Sequence, residues 1–197
     1  KLNKGVEHLL KSAGVEMVNG WAEFQDAKTV KVGKGKDALI IEGENVILAN
    51  GSVPVELPFM KYGNNVISSR EALSLPELPE HVVVVGGGYI GLELGITYKM
   101  LGSDVTIVEA EDSILPIFDK ELRRPLELFV KKNKIKVNTG VFAKGVEDTK
   151  DGKTKLFFID KNAKEGTKPE EILADKILVT VGRKPNSDAL KPTGVAL

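Results

Sequence analysis

Residues 82–91 read Val-Val-Val-Val-Gly-Gly-Gly-Tyr-Ile-Gly, and no other stretch of the chain narrows the fold as much. An unbroken β-branched run of this length predicts a parallel strand buried on both faces. Gly86, Gly88 and Gly91 follow it at the G-x-G-x-x-G spacing and open a predicted helix over 89–101, which Gly102 ends. Each glycine has a mechanical role. Gly86 permits a tight turn, Gly88 lets a pyrophosphate approach the backbone, and Gly91 lets the helix pack closely on the strand. Gly95, one turn on, also permits close packing. Gly87, Tyr89 and Ile90 complete the turn, whose free N–H groups and positive helix end suit phosphate.

The glycine pattern alone is a weak signal, and the next strand supplies the second half of the test. Residues 105–109 form a predicted strand ending in Glu109, 21 residues beyond Gly88. A carboxylate there accepts hydrogen bonds from an adenosine ribose and repels a 2′-phosphate. No Arg or Lys stands between Glu109 and Pro116. The pattern therefore points to NAD and away from NADP. The plainer alternative is a strand–turn–helix with a surface Glu.

The fold class expected is α/β. A Rossmann-like parallel sheet with an antiparallel β-meander forms one domain, beside a smaller partial domain. Residues 3–13 read as an amphipathic helix stopped by Gly14. Short strands are predicted at 16–18, 22–24, 29–32, 38–41 and 45–49, forming an antiparallel meander. Between 51 and 79, Pro54, Pro58, Pro76 and Pro79 punctuate a connection that holds one short helix at 69–75. Beyond residue 101 the prediction continues with a helix at 119–132, Pro125 inside it, and strands at 135–138, 141–147, 155–159 and 177–181. Asp151-Gly152 is a hairpin turn, and 161–171 reads as a charged loop.

Composition excludes several classes. The 28 Lys and Arg balance 28 Asp and Glu, which argues against a nucleic-acid binder. Cysteine is absent, so no disulfide, thiolate metal site or Cys nucleophile is available from this chain. No apolar run approaches the ~18 residues of a membrane span. No signal peptide opens the chain, which begins at Lys1 and reads as a piece of something longer.

Four segments in order resemble the flavin-dependent pyridine-nucleotide disulfide oxidoreductases. The segment 45–54 resembles the Ala-Thr-Gly-Ser turn that closes the family's first flavin-binding half, with Asn50 where Thr is usual. Residues 82–95 resemble its NAD fingerprint, 105–109 its acid-tipped strand, and 174–186 the strand and Gly-Arg-x-Pro-Asn turn leading back to the flavin domain. The opening helix, the motif Val18-Asn-Gly20-Trp21 and the strand end 137–141 are most similar to the dihydrolipoamide-oxidising branch. Ala22 stands where a second Gly is usual.

This resemblance implies a partial FAD domain with its connection over 1–75, an NAD domain over 76–186, and a return towards the FAD domain from 187. It implies NAD beside Gly86–Gly91, Glu93, Glu109, Val141 and Gly182, and FAD or phosphate contacts at Ala22, Asn50, Gly51, Ser52 and Arg183. No catalytic residue of the family and no metal ligand falls in this chain: the redox Cys pair lies upstream and the catalytic His–Glu pair downstream. The implied parent is a homodimer of the cytoplasm or mitochondrial matrix. It passes electrons from dihydrolipoamide, free or on the lipoyl domain of a 2-oxo acid dehydrogenase complex, through FAD to NAD⁺. An NADH oxidase, a coenzyme A disulfide reductase, a mercuric reductase or a stand-alone NAD(H)-binding module are the alternatives. Several of these residues also have ordinary readings. Glu93 reads as a flavin-side acid in the parent and as an exposed acid near a positive helix end in the fragment, Ile90 equally as core, and Arg183 as a turn brace. His8 and His81 read as surface or packing residues, Trp21 as packing, and the cluster 131–134 as a solvated helix end.

Overall fold

The computed structural model describes residues 2–188, in two compact units. One comprises residues 2–52 and 185–188, the other Val53–Lys184. The sequence places its boundary at 75/76. The units divide earlier because residues from the Pro-punctuated stretch join the second unit's sheet.

In the first unit, helix α1 (Leu2–Ser12) precedes strands β1 (Ala22–Phe24), β2 (Thr29–Val32) and β3 (Leu39–Glu42). They pair antiparallel in sequence order, as a meander should. Asp26 shapes the first hairpin, its Oδ1 accepting from the N–H groups of Lys28 and Thr29 at 2.8 and 2.9 Å. The Lys28 N–H, first among these contacts, holds that carboxyl below its ordinary range. The strands expected at 16–18 and 45–49 do not form, since neither segment finds a ladder partner among the described residues. Trp21, expected to pack, is 76 % exposed.

After β4 (Ser52–Pro54), which begins on the last residue of the first segment, the second unit holds β5 (Val66–Ile67) and α2 (Ser69–Ala72). A capping box starts α2: Ser68 Oγ accepts from Arg70 N, and Glu71 Oε2 accepts from Ser68 N at 2.9 Å. Strand β6 (His81–Val85), helix α3 (Tyr89–Leu101) and strand β7 (Asp104–Val108) follow, then α4 (Lys120–Lys132) and β8 (Lys136–Asn138). The chain continues through β9 (Val141–Asp148), β10 (Thr154–Asp160), β11 (Glu170–Ala174), β12 (Lys176–Val179) and β13 (Arg183–Pro185). Strand β11 corrects the expected charged loop at its C-terminal end. Glu170 and Glu171 look like loop residues, yet they oppose Phe158 and Phe157 on the exposed margin of a ladder with β10, where charge also discourages edge-to-edge pairing.

Five strands make a parallel sheet in the order β5-β12-β6-β7-β8. Its core follows the two-residue period of a strand. Val82 and Val84 pack with Leu92 and Tyr98 of α3, whereas Val83 and Val85 pack with Leu156 and Phe158 of the antiparallel sheet β11-β10-β9. All four valines are buried, so each contributes about 1.5–3 kcal/mol of apolar burial. The sequence Val-Val-Val-Val is thus a strand between helices on one side and a meander on the other. Tyr98 donates its hydroxyl to the Ala72 carbonyl at 2.5 Å and ties α3 to α2.

At the N-terminal end of β6, His81 Nδ1 lies 2.9 Å from the Leu173 carbonyl and Nε2 lies 3.0 Å from Thr106 Oγ1. Asp175 accepts the His81 N–H at 2.7 Å and pairs with Lys153 at 3.1 Å. Burial pushes the Asp175 carboxyl up, but the His81 N–H and the Lys153 ammonium more than offset it, so it titrates below its ordinary range. His81 is a packing residue, as its sequence position suggests. His8 lies exposed on α1.

Candidate functional site

In open parallel sheets, ligands bind beyond the C-terminal strand ends where neighbouring connections diverge. Here α3 leads from β6 to β7 on one side, while β12 flanks β6 on the other. A cleft lies at that point. It encloses about 440 Å³, and Val85, Val108 and Thr180 line it at the C-terminal ends of β6, β7 and β12.

The structure sorts the glycines of the fingerprint by what each one serves. Gly86 has φ +105, and a Cβ there would come within 2.6 Å of the Thr180 carbonyl oxygen. A Cβ on Gly91 would lie 2.1 Å from the Gly86 carbonyl oxygen and 2.6 Å from Thr180 Oγ1. Both are demanded by the fold itself. Gly88 is different. Its φ of −74 and ψ of −178 are open to any residue, and a Cβ there would meet nothing within 4 Å. It caps α3, has no side-chain capping bond, and lines the cleft. No protein atom accounts for the missing side chain at Gly88; a ligand lying against the backbone would.

Glu109 is nearly buried, at 8 % exposed. Its Oε2 accepts the Gly87 N–H at 2.5 Å and its Oε1 the Glu111 N–H at 2.8 Å. A carboxylate offers about four acceptor sites, so two remain for ribose hydroxyls. The linear sequence places no cation near this acid. The tertiary structure brings one close to the same loop: Lys161, beyond β10, forms an ion pair with Asp112. That bond to Asp112 holds the Lys161 ammonium above its ordinary value.

Of the residues singled out by sequence, Gly86, Gly88, Tyr89, Ile90, Glu109, Val141, Gly182 and Arg183 converge on this one cleft. Gly87 and Gly91 stand behind its wall, one bonded to Glu109 and the other packed under the turn. Glu93 is exposed on α3 and is not among the lining residues. Ala22, Asn50, Gly51 and Ser52 belong to the first unit. There Gly51, at φ +69, accepts the Asn186 N–H at 3.0 Å, and the Asn50 carbonyl accepts Asn186 Nδ2 at 3.3 Å. The return segment expected from 187 lies outside the described residues beyond 188.

Sequence reasoning missed several lining residues. Thr180 Oγ1 donates towards the Gly86 carbonyl at 2.9 Å and braces the turn from β12. Its only signal was its place near the end of the buried strand predicted at 177–181. Leu57, Phe59, Leu115, Ile117 and Phe142 supply apolar walls from two separate loops and a strand, and carry no local signature. Glu109 and Arg183 are the charged residues among an otherwise mostly apolar lining. Such a cleft accepts flat rings on its walls and an anion at the glycine turn. Among the described residues no cluster of His, Cys, Asp and Glu is placed to hold a metal, and no helix is long and apolar enough to cross a membrane.

The model of the pyridine nucleotide-disulphide oxidoreductase family matches residues 1–197. The chain is similar to dihydrolipoyl dehydrogenase from Geobacillus stearothermophilus, 45 % identical over 190 residues, which covers 96 % of this chain and 39 % of that protein. It is 38 % identical to the Halobacterium salinarum dihydrolipoyl dehydrogenase over 201 residues, 100 % of this chain and 41 % of the relative. Among solved structures, LpdA from Mycobacterium tuberculosis superposes with TM-score 0.84 at 24 % identity, covering 98 % of this chain and 42 % of that one. The flavoprotein disulfide reductase RclA from Escherichia coli superposes at 0.81 with 25 % identity, covering 99 % and 43 %. The chain spans about two fifths of the length of these relatives.

Proposed function

The chain belongs to the pyridine nucleotide-disulphide oxidoreductase family, and from that premise we propose that its cleft is the NAD(H) site of a dihydrolipoyl dehydrogenase-type flavoenzyme. The observation that carries this reading is Gly88. Its side-chain space is open to the cleft, its backbone angles do not call for glycine, and it begins a helix with no side-chain cap. A dinucleotide pyrophosphate fits that cradle. The first-turn N–H groups of α3 bind it, Tyr89 and Ile90 flank it, and Val141 and Gly182 line the ring-binding walls.

NAD⁺, when bound, supplies the hydride acceptor. This chain's residues bind it, orient it and exclude water from its apolar walls. FAD belongs to the complete enzyme on this reading, with Ala22, Asn50, Gly51 and Ser52 as part of its wall; Arg183, which lines the cleft of the second unit, is a candidate phosphate contact. The dithiol chemistry requires Cys residues that this chain does not contain. Dihydrolipoamide or a lipoyl domain is the proposed reductant, a homodimer the proposed assembly, and the cytoplasm or mitochondrial matrix the proposed location.

Calorimetric titration of the chain with NADH and NADPH tests the cleft. NADH should bind, and NADPH should bind more weakly. Gly88→Val should abolish NADH binding with the thermal midpoint unchanged, because the new side chain enters ligand space and not protein. Retained binding would refute the assignment. The same preparation should be colourless and should not oxidise dihydrolipoamide. Stoichiometric FAD in it would mean that the glycine turn serves the other dinucleotide.

A further inference from the structure

We propose that Glu109 is a positioning residue for the phosphate turn, acting through Gly87, so that much of its share of nucleotide affinity passes through the shape of that turn. This rests on the NAD(H) reading of the cleft. Both polar backbone groups of Gly87 are taken by the segment that follows β7. Its N–H donates to Glu109 Oε2 at 2.5 Å, and its carbonyl accepts the Leu115 N–H at 2.9 Å. Gly87 has no positive φ to explain it. A Cβ there would instead stand 3.0 Å from Ile114 Cγ2 and 3.2 Å from Glu109 Oε2. Gly87 is therefore a glycine because the carboxylate and Ile114 close against it.

The other half of the clamp carries strain. Leu115 has φ +47, a left-handed conformation that a Leu keeps only where its surroundings over-determine it. Its N–H on Gly87 is part of that surrounding. Glu109 meanwhile spans two donors at once, Gly87 N and Glu111 N. Two converging N–H groups on opposite oxygens require a carboxylate. A Gln in its place offers one acceptor and turns an NH₂ towards the other N–H. The clamp thus sets the middle of the turn before nucleotide arrives, and leaves the N–H groups at Gly88 and beyond to the phosphates.

The test uses Glu109→Gln and Glu109→Asp in the whole chain, with the β6 and β7 amides as the control for folding. Amide exchange at Gly87 is measured first without nucleotide. It should quicken about a hundredfold in both variants, since neither can satisfy both donors. Affinity is then measured for NADH and for 2′,3′-dideoxyadenosine diphosphate, a probe with no ribose hydroxyls for Glu109 to hold. Both variants should lose about tenfold on the dideoxy probe. Unchanged affinity for that probe together with weakened NADH would confine Glu109 to the ribose and overturn the proposal, as would unchanged Gly87 exchange. Recovery by Glu109→Asp would assign the effect to charge and also overturn it. If the unaltered chain bound neither NADH nor the probe, the NAD(H) reading and the affinity half of the proposal would fail together, while Gly87 exchange would still decide whether the clamp exists.

Discussion

Both compact units of this chain carry apolar strands, yet only the second encloses them on both faces. In the second unit the strands β6, β7 and β12 are covered on both faces, and Val82–Val84, Ile107, Ile177 and Leu178 are all at 0 % exposure. In the first unit, α1 buries nothing and every residue of β3 is exposed, although Leu39, Ile40 and Ile41 are as apolar as any core strand. A strand sequence is stabilised by what packs on it, not by its own hydrophobicity. Among the described residues nothing covers the side chains of β3. The second unit has a third layer, and that layer makes its sheet an interior.

The largest test of this contrast is a matched pair of glycine substitutions. Gly91→Ala should destabilise the second unit by more than about 4 kcal/mol, because its Cβ would press on the Gly86 carbonyl. Gly5→Ala in α1 meets nothing within 4 Å and should stabilise that helix by roughly 0.5–1 kcal/mol. Thermal unfolding followed by circular dichroism measures both, and a benign Gly91→Ala would mean that α3 does not sit as closely on β6 as described.

Hydrogen exchange addresses the units directly. Amides of β6 and β12 should exchange roughly a thousandfold more slowly than those of β1–β3, a gap of about 4 kcal/mol in opening free energy. Equal protection would show that the exposed apolar faces of the first unit are covered in solution.

The smallest effect is electrostatic and belongs to the second unit. The Asp175 carboxyl titrates below its ordinary range in the folded chain. The unfolded chain therefore binds more protons near pH 4, the unperturbed Asp range, and stability rises with pH there. The contribution is present above that range and is lost as pH falls through the lowered folded value. Asp175→Asn should flatten the acid limb of the stability curve for β6 and β11 and leave the neutral plateau little changed apart from the loss of the Lys153 pair. An unaltered acid limb would remove Asp175 from the account.

Much of the second unit was legible because its signals are local. The β-branched run, the glycine spacing and Gly102 predict β6, the turn and α3 within a residue, since each depends on neighbours in the chain. Asp151-Gly152 likewise predicts the β9–β10 hairpin, with Gly152 at φ +82. Strand β11 was hidden because its two glutamates carry loop chemistry and only the partner β10 makes them a strand. The segments 16–18 and 45–49 failed in the opposite sense: their composition suits a strand, and the described residues offer no ladder to join.

The sequence by itself determined where the backbone turns and which residues carry the phosphate signature. Steric limits on φ, and the two-residue and 3.6-residue periods, act over a few neighbouring positions. Only the tertiary structure decided that Thr180 braces Gly86, that Lys161 comes to pair with Asp112, and that Glu109 and Leu115 hold Gly87 between them. These contacts join residues from 22 to 94 positions apart. Hydrogen bonds and close packing depend on distance in space, which the order of residues does not specify.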